Sequence, residues 1–165
     1  MIITIDLSVH STGYTVFDEE VLIDYGIITP ERYPKQSIDR YPIKSVNQVK
    51  STAKQVHTLI ESYLPQIEAI VIEEINGAGR RNIIGTKALC GIHYVLMSLM
   101  DLETLKKVVF IKSCEWRKAL NLKRNGDWKQ SAVDFINEKH GTEFIREEND
   151  LTDALCLYYA YLKLK

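Results

Sequence analysis

Cysteine is scarce: Cys90, Cys114 and Cys156 are odd in number, far apart and form no Cys-x-x-Cys pair. A disulfide framework and a cysteine-based zinc site are thereby set aside, and the thiols read as those of a reduced, cytosolic protein. Long apolar runs are also missing. The longest uncharged stretch in the most apolar region, Ala88 to Met100, is thirteen residues and contains His93. That is too short to span a bilayer. Met1 to Phe17 has no basic run and carries Asp6 in its first apolar segment, which argues against a signal peptide. No Gly-x-Ser-x-Gly, P-loop or Gly-x-Gly-x-x-Gly occurs, and the four histidines (His10, His57, His93, His140) show no ligand spacing. Internal repeats, low-complexity tracts and linkers are absent, so residues 1–165 are expected to form a single domain.

What is present is a globular composition, 45% hydrophobic and 26% charged, with a net charge of only −1. The distribution of charge says more than its sum. From Arg80 to Lys129 there are eleven basic residues and four acids, a local balance of +7 that leaves −8 for the rest. A polyanion has a place to dock on the middle of the chain. For any one lysine, a solvated helix face explains the charge as well.

The pattern predicts three opening strands: Ile2–Asp6, then Thr12–Phe17 and Val21–Ile28 as a hairpin around Asp18-Glu19-Glu20. A proline-bearing loop from Thr29 to Pro42 precedes a helix over Ile43–Tyr63, whose apolar residues step by three or four, ending at Pro65. A fourth strand, Ala69–Ile72, runs into Glu73-Glu74. A helix over about Ile83–Met100, a strand Val108–Ile111, and short and longer helices near Glu115–Leu120 and Trp128–Lys139 follow. Gly141 takes a C-cap position, and Asn149 or Asp150 caps a last helix, Leu151–Leu162. The order is that of an α/β domain. His57 and His93 fall inside helical patterns as packing residues.

Four carboxylates stand where the apolar pattern predicts burial. Asp6 closes the first strand and Glu73 the fourth, so both emerge at one sheet edge if those strands are neighbours. Two ionised carboxylates buried side by side are costly unless a cation neutralises them. Oxygen donors of this kind suit Mg²⁺ or Mn²⁺. Asp150 and Asp153, spaced i, i+3, share one face of a helix start. Each acid has a plainer reading: Asp150 as an N-cap, Asp153 as a complement to the helix dipole. Glu73 and Glu74 point to opposite sides of their strand, so only one can face Asp6. Trp116-Arg117-Lys118 and Trp128-Lys129 offer aromatic and basic groups to stack on bases or to pack over the core. Gly77-Ala78-Gly79 beside Arg80 and Arg81 reads as a basic loop next to Glu73.

A strand-end Asp6 followed by Ser11-Thr12-Gly13-Tyr14-Thr15-Val16, then Val71-Ile72-Glu73, then Asn149-Asp150-Leu151-Thr152-Asp153-Ala154-Leu155, resembles the RuvC-type Holliday-junction resolvases. The likeness runs through nearly the whole chain in the same order, and Ser113 to Leu120 is similar to the shorter phage-type members. The resemblance implies an RNase H-like fold with a mixed five-stranded sheet, three antiparallel N-terminal strands plus two parallel ones. It also implies a homodimer acting in the cytoplasm, a bacterial host's if phage-encoded, and a metal-dependent endodeoxyribonuclease that nicks branched DNA. The family's metal-binding acids match Asp6, Glu73, Asp150 and Asp153, expected to hold two Mg²⁺, with Mn²⁺ as a substitute. Its two important lysines fall at Arg117 and Lys129, with Lys118 a rival for the first. Asn76, Arg80, Arg81, Lys123 and Arg124 complete the expected DNA contacts.

Two departures from the family pattern matter. Leu7-Ser8 replaces a Pro-Gly after the first Asp, and Asn76 stands where an aromatic wedge is usual. The second departure points to looser selectivity, extending from four-way junctions to three-way junctions and forks. Rival readings are an RNase H-like nuclease acting on RNA–DNA hybrids or single strands, and a branched-DNA-binding module without catalysis.

Overall fold

The structure, a computed structural model, describes residues 1–31, 42–75, 83–122 and 127–165. Five strands form one mixed sheet in the order β3-β2-β1-β4-β5. They are β1 (Ile2–Asp6), β2 (Thr12–Asp18), β3 (Val21–Ile28), β4 (Ala69–Glu74) and β5 (Val108–Lys112). β1 pairs antiparallel with β2, and β2 with β3, whereas β4 runs parallel to both β1 and β5. The central strands are β-branched and buried on both sides, as covered parallel strands must be. β3 lies at the edge, and its exposure alternates along its length.

Helices cover both faces. On one lie α1 (Ile43–Tyr63) and α2 (Ile83–Leu99), packed against Ile3, Ile5, Ile70 and Ile72. Val49, Ala53, Val56 and Ile60 form the buried stripe of α1, at the helical spacing its sequence shows. On the other face lie α4 (Ser113–Ala119), α5 (Trp128–His140) and α6 (Asn149–Leu164), against Ile2, Phe17, Ala69 and Val71. α6 is the central helix of that layer, buried at every position from Leu151 to Tyr158. The Thr4 hydroxyl, which also shares a hydrogen bond with that of Thr15, donates to the Ala154 carbonyl at 2.6 Å and ties α6 to the middle of the sheet.

Two local details differ from the expectation. The helix expected over about Ile83–Met100 runs Ile83–Leu99 as read, but a separate turn, α3 (Leu102–Leu105), follows it. Asp101 caps it through a 2.7 Å bond from the Thr104 amide. Four residues are too few to show periodicity. Neither Asn149 nor Asp150 caps α6, because a 3-10 turn, Arg146–Glu148, leads straight into it and Glu148 holds the cap position. Both side chains are therefore free of capping duty. Gly141 does close α5 in the left-handed conformation, with φ 65°.

Candidate active site

The register of β1 and β4 sets the first two acids side by side. Ile5 pairs with Ile72, and the next residue on each strand is Asp6 and Glu73. Both fall on the α6 face, since Thr4, two residues before Asp6, bonds to α6, and Val71, two before Glu73, packs in that layer. Glu74 points to the opposite face, where its Oε1 accepts from the Ile75 amide at 3.1 Å. It borders the cleft but belongs to its other wall.

Asp150 and Asp153 arrive on the first turn of α6, and a glycine lets them approach. Gly13 is paired with Asp6 across β1 and β2. A Cβ placed on Gly13 would lie 1.9 Å from the Asp150 carbonyl oxygen, so the helix end rests directly on the strand backbone. Asp153 is buried and Asp150 half-buried, the latter accepting a 2.6 Å bond from Asn149 Nδ2.

All four acids line one open cleft of about 700 Å³, together with Arg117, Lys129 and His93. Burial, reinforced by Glu73, Asp153 and Asp150, pushes the Asp6 carboxyl well above the usual range, with Lys129 opposing. Burial and the nearby Glu73 raise Asp153 to about 7. Glu73 is raised by burial too, against a hydrogen bond from Trp116 and the charge of Arg117. The indole Nε1 of Trp116 donates to Glu73 Oε2 at 2.9 Å.

Among the described residues no three His, Cys, Asp or Glu side chains form a ready-made metal cage. The acids border the cleft without closing on one point. The donor set nevertheless suits a hard divalent cation: it is all oxygen, and Asp153 Oδ1 is buried with no hydrogen-bond partner.

Of the expected basic contacts, Arg117 lines the cleft. Its guanidinium carbon sits 4.8 Å from the Trp116 ring centroid and 5.5 Å from that of Trp128. Lys118 is exposed and does not border the cleft, so position 117 is the one that faces the acids. Lys129 is exposed at the rim. Asn76, Arg80, Arg81, Lys123 and Arg124 lie outside the described residues.

Two residues have a larger part than their sequence suggests. Trp116 is fully buried, which removes it as a base-stacking group and makes it a partner of Glu73. His93 is more than a packing residue: its Nε2 lies 3.2 Å from the Glu73 carbonyl oxygen and its Nδ1 3.0 Å from that of Leu89. A histidine in a helical pattern carries no signal of a contact to a strand twenty residues upstream.

No family model matches the sequence, and no curated protein does. Solved structures do. The chain is similar to Thermus thermophilus RuvC in complex with a Holliday junction substrate, with a TM-score of 0.65 and 12% identity over 98% of this chain and 92% of that one. A second Thermus thermophilus RuvC structure matches with the same score and identity, covering 93% of its chain. The yeast mitochondrial Holliday junction resolvase Ydc2 matches with a TM-score of 0.58 and 15% identity over 98% of this chain and 77% of that one. The fold is thus the RNase H-like one of the RuvC-type resolvases. Among the described residues no helix is long and apolar enough to cross a membrane.

Proposed function

We propose that this chain is a structure-selective endodeoxyribonuclease that nicks branched DNA with the help of divalent cations, Mg²⁺ or Mn²⁺. The observation that carries the reading is the convergence of Asp6, Glu73, Asp150 and Asp153 on one cleft, with Asp153 Oδ1 buried and unpartnered. Solved resolvases of the same fold lend it support. A bound cation pair supplies Lewis-acid polarisation of a phosphodiester, a lowered pKa for water and charge neutralisation at the departing oxygen.

The chain's own residues do the rest. Asp6 and Glu73 on the sheet, with Asp150 and Asp153 on α6, hold the cations. Arg117 lies over two indoles, sets its guanidinium near Glu73 and Asp153, and has its Nε buried without a partner. Lys129, on the rim, offers a mobile charge to a phosphate. No serine, cysteine or histidine nucleophile is required.

Nicking two strands calls for two clefts, so we assign the active form to a homodimer. Exposed apolar residues on α1 and α2 (Ile43, Val46, Ile83, Ile84, Tyr94) supply a surface for the second copy. The sequence from Glu74 to Arg81 contains no aromatic side chain, and this supports activity on three-way junctions and forks as well as four-way junctions. The setting would be a cytoplasm. The test is a panel of labelled four-way, three-way, forked and linear duplex DNAs with Mg²⁺, Mn²⁺ or Ca²⁺. Branched substrates should be nicked with Mg²⁺ or Mn²⁺ and linear duplex far less. Equal cutting of linear duplex, or preferential cutting of RNA–DNA hybrid, overturns the proposal. Junction binding without any nicking leaves a binding module instead.

A further inference from the structure

We propose that Trp116 is a positioning residue whose indole N–H holds Glu73 as a one-oxygen ligand and so biases the site towards small octahedral cations over calcium. This rests on the reading of the four acids as a cation site. A fully buried indole N–H needs an acceptor. In this fold it is satisfied by the carboxylate that β4 delivers to the cleft, with Nε1 2.9 Å from Oε2. Glu73 is held from the other side of the sheet as well, its carbonyl oxygen lying 3.2 Å from His93 Nε2. One residue is thus fixed at its main chain by α2 and at its side chain by α4.

The consequence is chemical. With one lone pair of Oε2 taken by the indole, Oε1 is the freer oxygen for a cation. Mg²⁺ and Mn²⁺ at such sites take carboxylate oxygens singly in octahedral geometry, whereas the larger Ca²⁺ readily takes both oxygens of one carboxylate. A hydrogen bond that ties down one oxygen therefore penalises the calcium mode more than the magnesium mode. The same indole carries Arg117, whose guanidinium carbon is 4.8 Å from its ring. Loss of the whole ring would disturb both partners. Loss of the N–H alone separates them.

The experiment uses the full chain without DNA. Bound and free Mn²⁺ are measured by electron paramagnetic resonance, with displacement by Mg²⁺ and by Ca²⁺. Wild type is compared with Trp116→Phe and with a chain carrying 3-benzothienylalanine at position 116, which keeps the ring and removes the donor. An outer partner of a ligand typically alters metal affinity by about 10–100-fold. Weaker Mn²⁺ binding, with the Mg²⁺-to-Ca²⁺ competition ratio shifted roughly tenfold towards Ca²⁺ in the benzothienyl chain, supports the proposal. A purely structural Trp116 would lower the melting temperature and leave that ratio alone. An unchanged ratio in a folded benzothienyl chain therefore overturns the inference while leaving the cation site standing. Mn²⁺ binding that Asp6→Asn does not weaken removes the cation reading and this inference together.

Discussion

Replacing Gly13 with alanine tests the site through its scaffold and leaves every charged group in place. The added Cβ would meet the Asp150 carbonyl oxygen at 1.9 Å, its carbonyl carbon at 2.4 Å and the Leu151 amide nitrogen at 2.9 Å. All three are backbone atoms, so no side chain can swing aside. Opening 1.9 Å to the shortest tolerable contact, 3.0 Å, displaces the start of α6 from β2 by about 1.1 Å. That end of α6 carries Asp150 and Asp153, and Gly13 is itself paired with Asp6. A misplacement of about 1 Å at a reacting centre costs on the order of 100-fold in rate. Overpacking of this kind costs about 1–3 kcal/mol, or a Tm drop of roughly 3–10 °C in a chain of this size.

Gly141→Ala supplies the control. It has open space around its Cβ position but a φ of 65°, so alanine there costs roughly 1–2 kcal/mol through backbone strain alone, far from the cleft. Nicking of a labelled four-way junction and thermal melting are measured on both variants. Gly13→Ala should lose activity far beyond its loss of stability, while Gly141→Ala should lose stability only. A Gly13→Ala chain that cuts at the wild-type rate would refute the account of how α6 reaches the sheet.

Three further outcomes are expected. Asp6→Asn and Asp153→Asn should each lower nicking by at least about 10²–10³-fold, the scale of removing one electrostatic stabiliser, while junction binding by gel shift stays near wild type. Arg117→Ala should slow single-turnover cleavage by about tenfold or more, whereas Lys118→Ala, outside the cleft, should at most reduce the salt slope of binding by roughly one. Asp153 titrates at about 7 in the fold against 3.8 for an ordinary aspartate. Between those values the folded chain keeps a proton on Asp153 that the unfolded chain has released, so Asp153's contribution to metal-free stability falls as pH rises through this window and levels off above it. Melting curves in chelator should show that fall, Asp153→Asn should lessen it while the raised Asp6 and Glu73 keep the rest, and saturating Mg²⁺ should oppose it.

Sequence reasoning reached the strands and the large helices because their signals are local: the β-branched run Ile2–Ile5, the stripe of α1, and the glycine closing α5. It placed Asp6 and Glu73 at strand ends and Asp150 and Asp153 on one face of a helix start, because an acid closing an apolar run and an i, i+3 spacing are both local signals. What it missed depends on distance along the chain. Trp116 bonds a carboxylate 43 residues earlier, and nothing in Ser113–Ala119 says which acceptor a buried indole will meet. Gly13 looks like any hairpin glycine until the far end of the chain is laid against it. The choice between Arg117 and Lys118 needed the rotation of one short helix, which seven residues do not specify.

The Thr4 hydroxyl reaches a carbonyl 150 residues later, and under the proposed nuclease function that span bears on when the cleft is complete. Asp6 and Glu73 are synthesised well before their partners on α6, Asp150 and Asp153. Contacts of such long separation are also the slowest to form. A nascent or C-terminally clipped chain, carrying two of the four acids and no α6 to seat against Gly13, is an unarmed one. Stalled chains released with residues 1–148 should accordingly leave junctions intact, and supplying the missing helix should be the last step that arms the cleft.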